Sequence, residues 1–220
     1  MYVKELWRYP VKSMAGEQLQ AARLTKSGIE GDRTVQVQDI KGRTVTSRTH
    51  HGLLGLKATL DEHGNTLVDG LPWTDPRTLA AVRKIAGPGA RLVSDDSLDR
   101  FDILPLLVAT DGAISAFGRD RRRLRANIIV GGVSGLEERE WERRQLFIGD
   151  AVIDVHDLRA RCVMTTFDPD TLAFDPGVMR DIVRRFGGKL ALNCDVARGG
   201  LIRVGQEVSI SGTAGPPLLP

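Results

Sequence analysis

Apolar and polar positions alternate along much of the chain, in short runs broken by turn residues. Val35 and Val37 alternate with Thr34, Gln36 and Gln38, and after Asp39-Ile40-Lys41-Gly42 the pattern resumes in Arg43-Thr44-Val45-Thr46, which predicts a hairpin. Residues 56–60 and 66–68, joined through Asp61-Glu62-His63-Gly64-Asn65, predict another. Strand-like runs follow at residues 126–130, 145–148, 151–155, 162–166 and 190–196, with a closing hairpin of 201–204 and 207–210. Helices are fewer. Asp75-Pro76 supplies an N-cap and a first-turn proline, Leu79, Val82 and Ile85 or Ala86 share a face, and Gly87 stops the segment. Asp175-Pro176 repeats the device ahead of the stripe Val178, Met179, Ile182, Val183 and Phe186, closed by Gly187-Gly188. A third helix is expected at residues 111–117. The aperiodic stretch 87–102, rich in turn formers and acids, divides the chain into an N-terminal unit (1–95) and a C-terminal unit (96–220).

Length and composition narrow the class. A chain of 220 residues with 41% apolar and 27% charged residues buries a sizeable core and is not expected to be disordered. No apolar run approaches the ~18 residues that span a bilayer, and MYVKELWRYP lacks the basic-then-apolar layout of a secretory signal, so no membrane partner and a cytoplasmic location are expected. In such a compartment Cys162 and Cys194 are expected as free thiols. A net charge of +3 suits an anionic ligand but falls short of a nucleic-acid-binding signature.

Candidate chemistry is sparse. The four histidines, His50, His51, His63 and His156, have no cysteine or carboxylate at zinc-ligand spacing, and neither a phosphate-binding glycine loop nor a Gly-x-Ser-x-Gly elbow is present. Cys162 stands out because Arg159 and Arg161 flank it, and nearby positive charge favours the thiolate, the soft metal-binding form. Asp168-Pro169-Asp170-Thr171 reads as a tight Asx-type turn beside it. A buried cysteine acting as a small apolar side chain is the competing reading, and local chemistry does not choose between them. Cys194 reads as a packed small side chain. Arg121, Arg122, Arg123 and Arg125 form a basic cluster that is either a docking patch or a solvated face.

A resemblance does choose. The stretches YPVKSM (9–14), GIEGDRTVQVQD (28–39), Arg48, RRLRANIIV (122–130), the Glu-rich approach to Trp141, RCVMTTFDPDT (161–171), FGGKLALNCDV (186–196) and IRVGQEV (202–208) together resemble the MOSC-domain proteins. They match best the branch with an extra N-terminal β-barrel-type domain that includes amidoxime-reducing proteins. The resemblance implies a mixed α/β, β-rich fold: a MOSC-type β-barrel with a packed N-terminal β domain and a few short helices. It also implies a pyranopterin molybdenum cofactor with Cys162 as catalytic residue and metal ligand. Lys12, Ser13, Arg33, Arg125, Asn127, Arg161 and Thr165 are the implied cofactor-binding residues, and arginine forks and a lysine suit a phosphate. An association with pyridoxal phosphate belongs to the same family likeness.

The activity implied is reduction of small N-hydroxylated substrates, and the alternative is a sulfur carrier holding persulfide or cofactor sulfur on Cys162. A basic binding module without metal is a third class. Two cysteines do not supply the four thiolates of an iron–sulfur cluster, so a reductase is expected to take electrons from another protein, for which residues 119–125 offer a candidate face. The chain departs from the branch in having Arg125-Ala126-Asn127 for Arg-Pro-Asn, Gly199-Gly200 before the last hairpin, and Asp111, whose acid at the pocket edge would repel a phosphate.

Overall fold

The computed structural model describes residues 1–211. Its main feature is an eight-stranded sheet that runs, edge to edge, through Ser209–Ile210 (β17), Gln145–Ile148 (β13), Ala151–Ala160 (β14), Lys189–Arg198 (β15), Leu106–Thr110 (β11), Ile128–Gly131 (β12), Tyr2–Arg8 (β1) and Glu17–Leu19 (β2). All neighbours are antiparallel except β11 and β12. A three-stranded sheet joins Gly200–Arg203 (β16), Ala21–Thr25 (β3) and Gly28–Ile29 (β4). Two more belong to the N-terminal half: Arg91–Ser94 (β10), Val35–Gln38 (β5) and Thr44–Val45 (β6) form one, and Ala58–Leu60 (β7), Thr66–Val68 (β8) and Leu71–Pro72 (β9) the other.

The fold is mixed and β-rich, as the sequence implies, but the expected barrel is not closed. The outer strands β2 and β17 have three and two residues. The sheet curls until Met1 to Val3 meets Gly205 to Val208, yet contact there is an isolated bridge, Tyr2 with Glu207, flanked by single backbone hydrogen bonds. Strands that short offer too few paired groups for a continuous ladder, so the rim stays open.

The main core lies on this sheet and includes Val3, Leu6, Leu106, Val108, Ile128, Val130, Trp141, Leu146, Ile153 and Leu192. A second core around Val11, Met14, Val35, Val37, Leu53 and Val82 fills the N-terminal half. In β1 the in–out alternation slips at a bulge between Val3 and Glu5, which turns Glu5 inward to 9% exposure. The misplaced carboxylate is met by Trp7 Nε1 (2.8 Å) and by Arg121 Nε (2.7 Å).

The three helices form where capping residues set them, at Pro76–Ala86 (α1), Asp111–Phe117 (α2) and Pro176–Phe186 (α3). Asp75 accepts from Arg77 N and Asp175 from Gly177 N, each at 2.8 Å, and α3 ends on left-handed Gly187. Both N-terminal hairpins form, with Asp39 and Asp61 each accepting two turn N–H groups.

Two strand expectations are overturned. Residues 162–166 are a 3₁₀ turn, Val163–Thr166, because Thr165 Oγ1 donates to the Cys162 carbonyl (2.8 Å) and Thr166 Oγ1 to the Val163 carbonyl. Hydroxyls bonding three residues back hold the chain in a turn and out of a ladder. The last two strands do not pair with each other either: β16 pairs with β3 and β17 with β13. Gly205 makes the turn at φ 85°, after which the segments diverge to different sheets. Strand β11, at the centre of the main sheet, and β1, one strand in from its edge, are additional to the runs expected from the sequence.

Candidate functional site

The loop after β1, the turn after β4, the chain between α2 and β12, and the end of β14 converge on one cleft. It encloses about 760 Å³ of space continuous with solvent. Tyr9 organises the near side. Its N–H donates to Asp32 Oδ1 (2.6 Å), its carbonyl accepts from Arg33 N (2.8 Å), and its ring lies under the Arg125 guanidinium at 4.3 Å and near Arg33 at 5.4 Å. Gly16 makes room for that ring, since a Cβ there would lie 2.5 Å from it and 2.2 Å from the Arg8 carbonyl. Asp32 is fully buried and also receives Arg33 Nη1 and Asn127 Nδ2.

Ser13, Arg33 and Arg125 all line the cleft with left-handed backbones, at φ 72°, 56° and 55°. Non-glycine residues held there carry on the order of 1 kcal/mol of strain each, and such strain concentrates where side chains are aimed at a ligand.

The far side of the cleft comes from β14 and the turn after it. Lys12, Arg33, Arg123, Arg125, Arg159 and Arg161 face a lining with one carboxylate, Asp102. Lys12 (3.1 Å), Arg48 (2.8 Å) and Arg159 (3.6 Å) all reach that group. Burial alone would push the Asp102 carboxyl up, but Lys12, Arg48 and Arg159 outweigh it and hold it below the ordinary carboxylate range. Burial brings Arg125 and Arg161 down to about 10, and the Arg159 charge adds to the effect on Arg161. Arg161 Nη2 donates to the Leu124 carbonyl (2.8 Å), while its Nε is buried with no partner among the described residues. No acceptor among those residues meets the Arg125 guanidinium. The cleft is thus short of negative charge and of acceptors, and an anion with several oxygens would satisfy both deficits.

The structure gathers Lys12, Ser13, Arg33, Arg125, Asn127, Arg161 and Cys162 around this cleft. Cys162 is half-buried, and its side chain opens onto the cations. Thr165 does not line the cleft. It is fully buried, and its N–H and Oγ1 both bond to the Cys162 carbonyl, so it fixes the turn that presents the thiol. Cys194, by contrast, is fully buried in the main core, where burial pushes its thiol up.

Residues added by the structure are Tyr9, Asp32, Asp102, Arg123, Met164 and Asn193. The sequence signal available for Arg159 was its place beside Cys162; its Nη1 donates to Asn193 Oδ1 (3.2 Å), which anchors it. Asp111 does not touch the cleft. It accepts from Gly132 and Val133 N–H and pairs with Lys4, so the repulsion expected of it does not arise.

The basic run is not a free cationic face. Arg119 pairs with Asp175 and Asp181, Arg121 with Glu5, Arg122 with Asp120 and Asp170, and Arg123 with Asp168. Local carboxylates neutralise these four guanidinium groups, which weakens the charge that would steer an acidic partner, and Arg125 faces the cleft instead. Among the described residues no group of three or more histidine, cysteine, aspartate or glutamate side chains is arranged to hold a metal ion, and no helix is long and apolar enough to cross a membrane.

Burial pushes the Tyr9 phenol up to about 12, against the pull of Arg125 and Arg33. The folded chain then keeps this proton after the unfolded chain loses it near 10. Stability from this group is full below pH 10 and falls as pH rises toward 12. Denaturant titrations between about pH 9 and about pH 12 are expected to show this decline, and Tyr9→Phe is expected to flatten it.

Similarity to known proteins extends along most of the chain. Residues 1–85 match the MOSC N-terminal beta barrel domain and residues 113–209 the MOSC domain. Mitochondrial amidoxime reducing component 2 of Bos taurus is 26% identical over 233 residues, covering 79% of this chain and 68% of that protein. Mitochondrial amidoxime-reducing component 1 of Homo sapiens is 24% identical over 229 residues, covering 77% and 67%. The YUAD protein from Bacillus subtilis shares the fold, with a TM-score of 0.53 at 15% identity over 95% of this chain and 94% of that one. The chain therefore belongs to the MOSC-domain proteins and carries the MOSC N-terminal domain ahead of the MOSC domain.

Proposed function

We propose that this protein is a molybdenum-cofactor oxidoreductase that reduces small N-hydroxylated substrates with electrons from a separate redox protein. The observation that carries the reading is the opening of Cys162 onto a cleft where Lys12, Arg33, Arg125 and Arg161 converge from different parts of the chain. The names of the relatives support the reaction class. The donor set fits a pyranopterin cofactor: the thiol of Cys162 suits a soft metal, and the unpartnered Nε of Arg161 and the acceptor-free Arg125 suit phosphate and polar ring edges.

In this reading Lys12, Ser13, Arg33 and Arg125 bind the anionic part, Asn127 braces the wall, and Thr165 positions Cys162. When bound, the group supplies two-electron chemistry: a substrate R–NH–OH takes up two electrons and two protons, the N–O bond breaks, and R–NH₂ and water leave. Asp102 stays ionised because its carboxyl lies below the ordinary range. It holds no proton at neutral pH, so it is not the proton donor for this step. Its work is electrostatic, keeping Lys12 and Arg159 extended along the cleft. The reading extends to a cytoplasmic setting, where Cys162 remains reduced.

Protein purified from a molybdate-fed host tests the proposal. About one molybdenum per chain is expected, together with reduction of an amidoxime under a strong artificial electron donor. Full metal content without N-reduction overturns the reductase reading. Sulfur on Cys162 without any metal would replace it with the carrier.

A further inference from the structure

A second cavity lies beside the cation-lined cleft and shares Arg123, Arg125 and Met164 with it as a common wall. It encloses about 1220 Å³ of space continuous with solvent, and its surfaces are different in kind. Trp7, Tyr9, Leu54, Phe167 and Pro169 supply ring and aliphatic faces. The rings are fixed before any ligand arrives. Phe167 stacks on His51 with centroids 4.7 Å apart and planes at 5°, and leans on Phe174 at 5.3 Å. Trp7 is tied through its indole N–H to Glu5, and Tyr9 is clamped under Arg125.

The charges at this cavity are largely spent on one another. Arg122 is bidentate to Asp170 (2.8 and 2.6 Å) and also bonds Asp120, while Arg123 bonds Asp168 and the Thr165 carbonyl. Lys57 stands exposed at the rim. Fixed rings beside mostly self-paired charges, with Arg125 already laid over the Tyr9 ring, select a flat, uncharged body, because it gains stacking area with little stripping of water from ions.

We infer that this second cavity binds the aromatic body of the substrate, with its N-hydroxylated head passing over Met164 and Arg125 toward Cys162. The inference rests on the reductase reading for the head and on the cavity alone for the ring. Aromatic N-hydroxylated compounds are therefore the favoured substrates over aliphatic ones of equal reactivity.

Benzamidoxime and acetamidoxime, which differ as phenyl and methyl, provide the test with the full chain. The ratio of their kcat/KM values is expected to fall at least about tenfold in Trp7→Ala and in Phe167→Ala, because a stacking partner is lost only to the phenyl compound. Binding without electron donor is followed by tryptophan emission. Benzamidoxime is expected to change the emission saturably in the wild type and not in Trp7→Phe, since Trp73 and Trp141 do not line the cavity. Reduction of both compounds with an unaltered ratio in both variants overturns the inference and leaves the reductase reading standing. Saturable binding at Trp7 with neither compound reduced overturns the reductase reading and keeps the aromatic site. Emission that responds equally in Trp7→Phe overturns the site directly.

Discussion

Cys162→Ala is expected to abolish amidoxime reduction and bound molybdenum together while leaving the thermal midpoint within about 2 °C of the wild type. The structural half of that expectation follows from geometry. Cys162 is half-buried at the end of β14, and its Sγ makes no hydrogen bond among the described residues; the turn around it is held by its carbonyl through Thr165. An alanine keeps that carbonyl. The functional half follows from its position as the soft donor among six cations. Losing a group that only orients a metal ligand costs about 10–100-fold, and losing the ligand itself is expected to exceed this. Cys194→Ala should behave in the opposite way. Cys194 is fully buried among the core residues of β15, so its loss is expected to cost about 1 kcal/mol of stability with metal content unchanged. Elemental analysis, turnover and thermal melts on the two variants check the contrast. A Cys162→Ala protein that keeps molybdenum and activity would remove the basis of the proposed function.

Glu138→Ala is expected to destabilise the fold by about 3–5 kcal/mol, the largest structural effect anticipated for a single polar residue here. Glu138 is 1% exposed. Its Oε2 accepts from Thr110 N (3.0 Å) and Thr110 Oγ1 (2.8 Å), and its Oε1 from Ala191 N (3.0 Å). One carboxylate therefore ties the end of β11 and the cap of α2 to β15 at Ala191, which sits at φ 70°. Alanine would leave three buried donors unpaired beside a void. Burial also raises the Glu138 carboxyl above its ordinary 4.5, although Thr110 and Ala191 oppose the shift. The folded chain thus takes up this proton more readily than the unfolded chain. The stability tied to proton uptake is fully present below pH 4.5 and is lost as pH rises through the folded-state value. The gap between wild type and Glu138→Ala is accordingly expected to widen as pH falls from 7 toward 4.5, which denaturant melts at the two pH values measure.

What the sequence makes legible here depends on how local the cause is. The three helices are readable to the residue at their starts because Asp75, Thr110 and Asp175 act on N–H groups two or three positions away. The hairpins at Asp39 and Asp61 are readable for the same reason. Strand β11 is not, because Leu106 to Thr110 is buried on both faces and shows no alternation. Strand β1 hides behind its bulge, which sets Glu5 and Leu6 both inward. The turn at Cys162 is concealed by Thr165 and Thr166, β-prone residues whose hydroxyls instead bond backward. At the site, single arginines gain meaning only through the resemblance, since a guanidinium in a cleft and one in solvent look alike in a sequence. Asp102 lies in the stretch that reads as a boundary, and only the tertiary fold brings it against Lys12, Arg48 and Arg159.

The pairing of Tyr2 with Gly131 has a temporal corollary. During synthesis β1 leaves the ribosome well before its partner β12, whose four residues lie more than half of these 220 residues behind it. Until then the strand is a bare edge carrying Val3 and Leu6, and only the three-residue β2 is near enough to shield it. Closing so long a loop is entropically slow, so the nascent chain passes through an interval in which this strand stays unpaired and sticky, and slowing translation should lengthen that exposure.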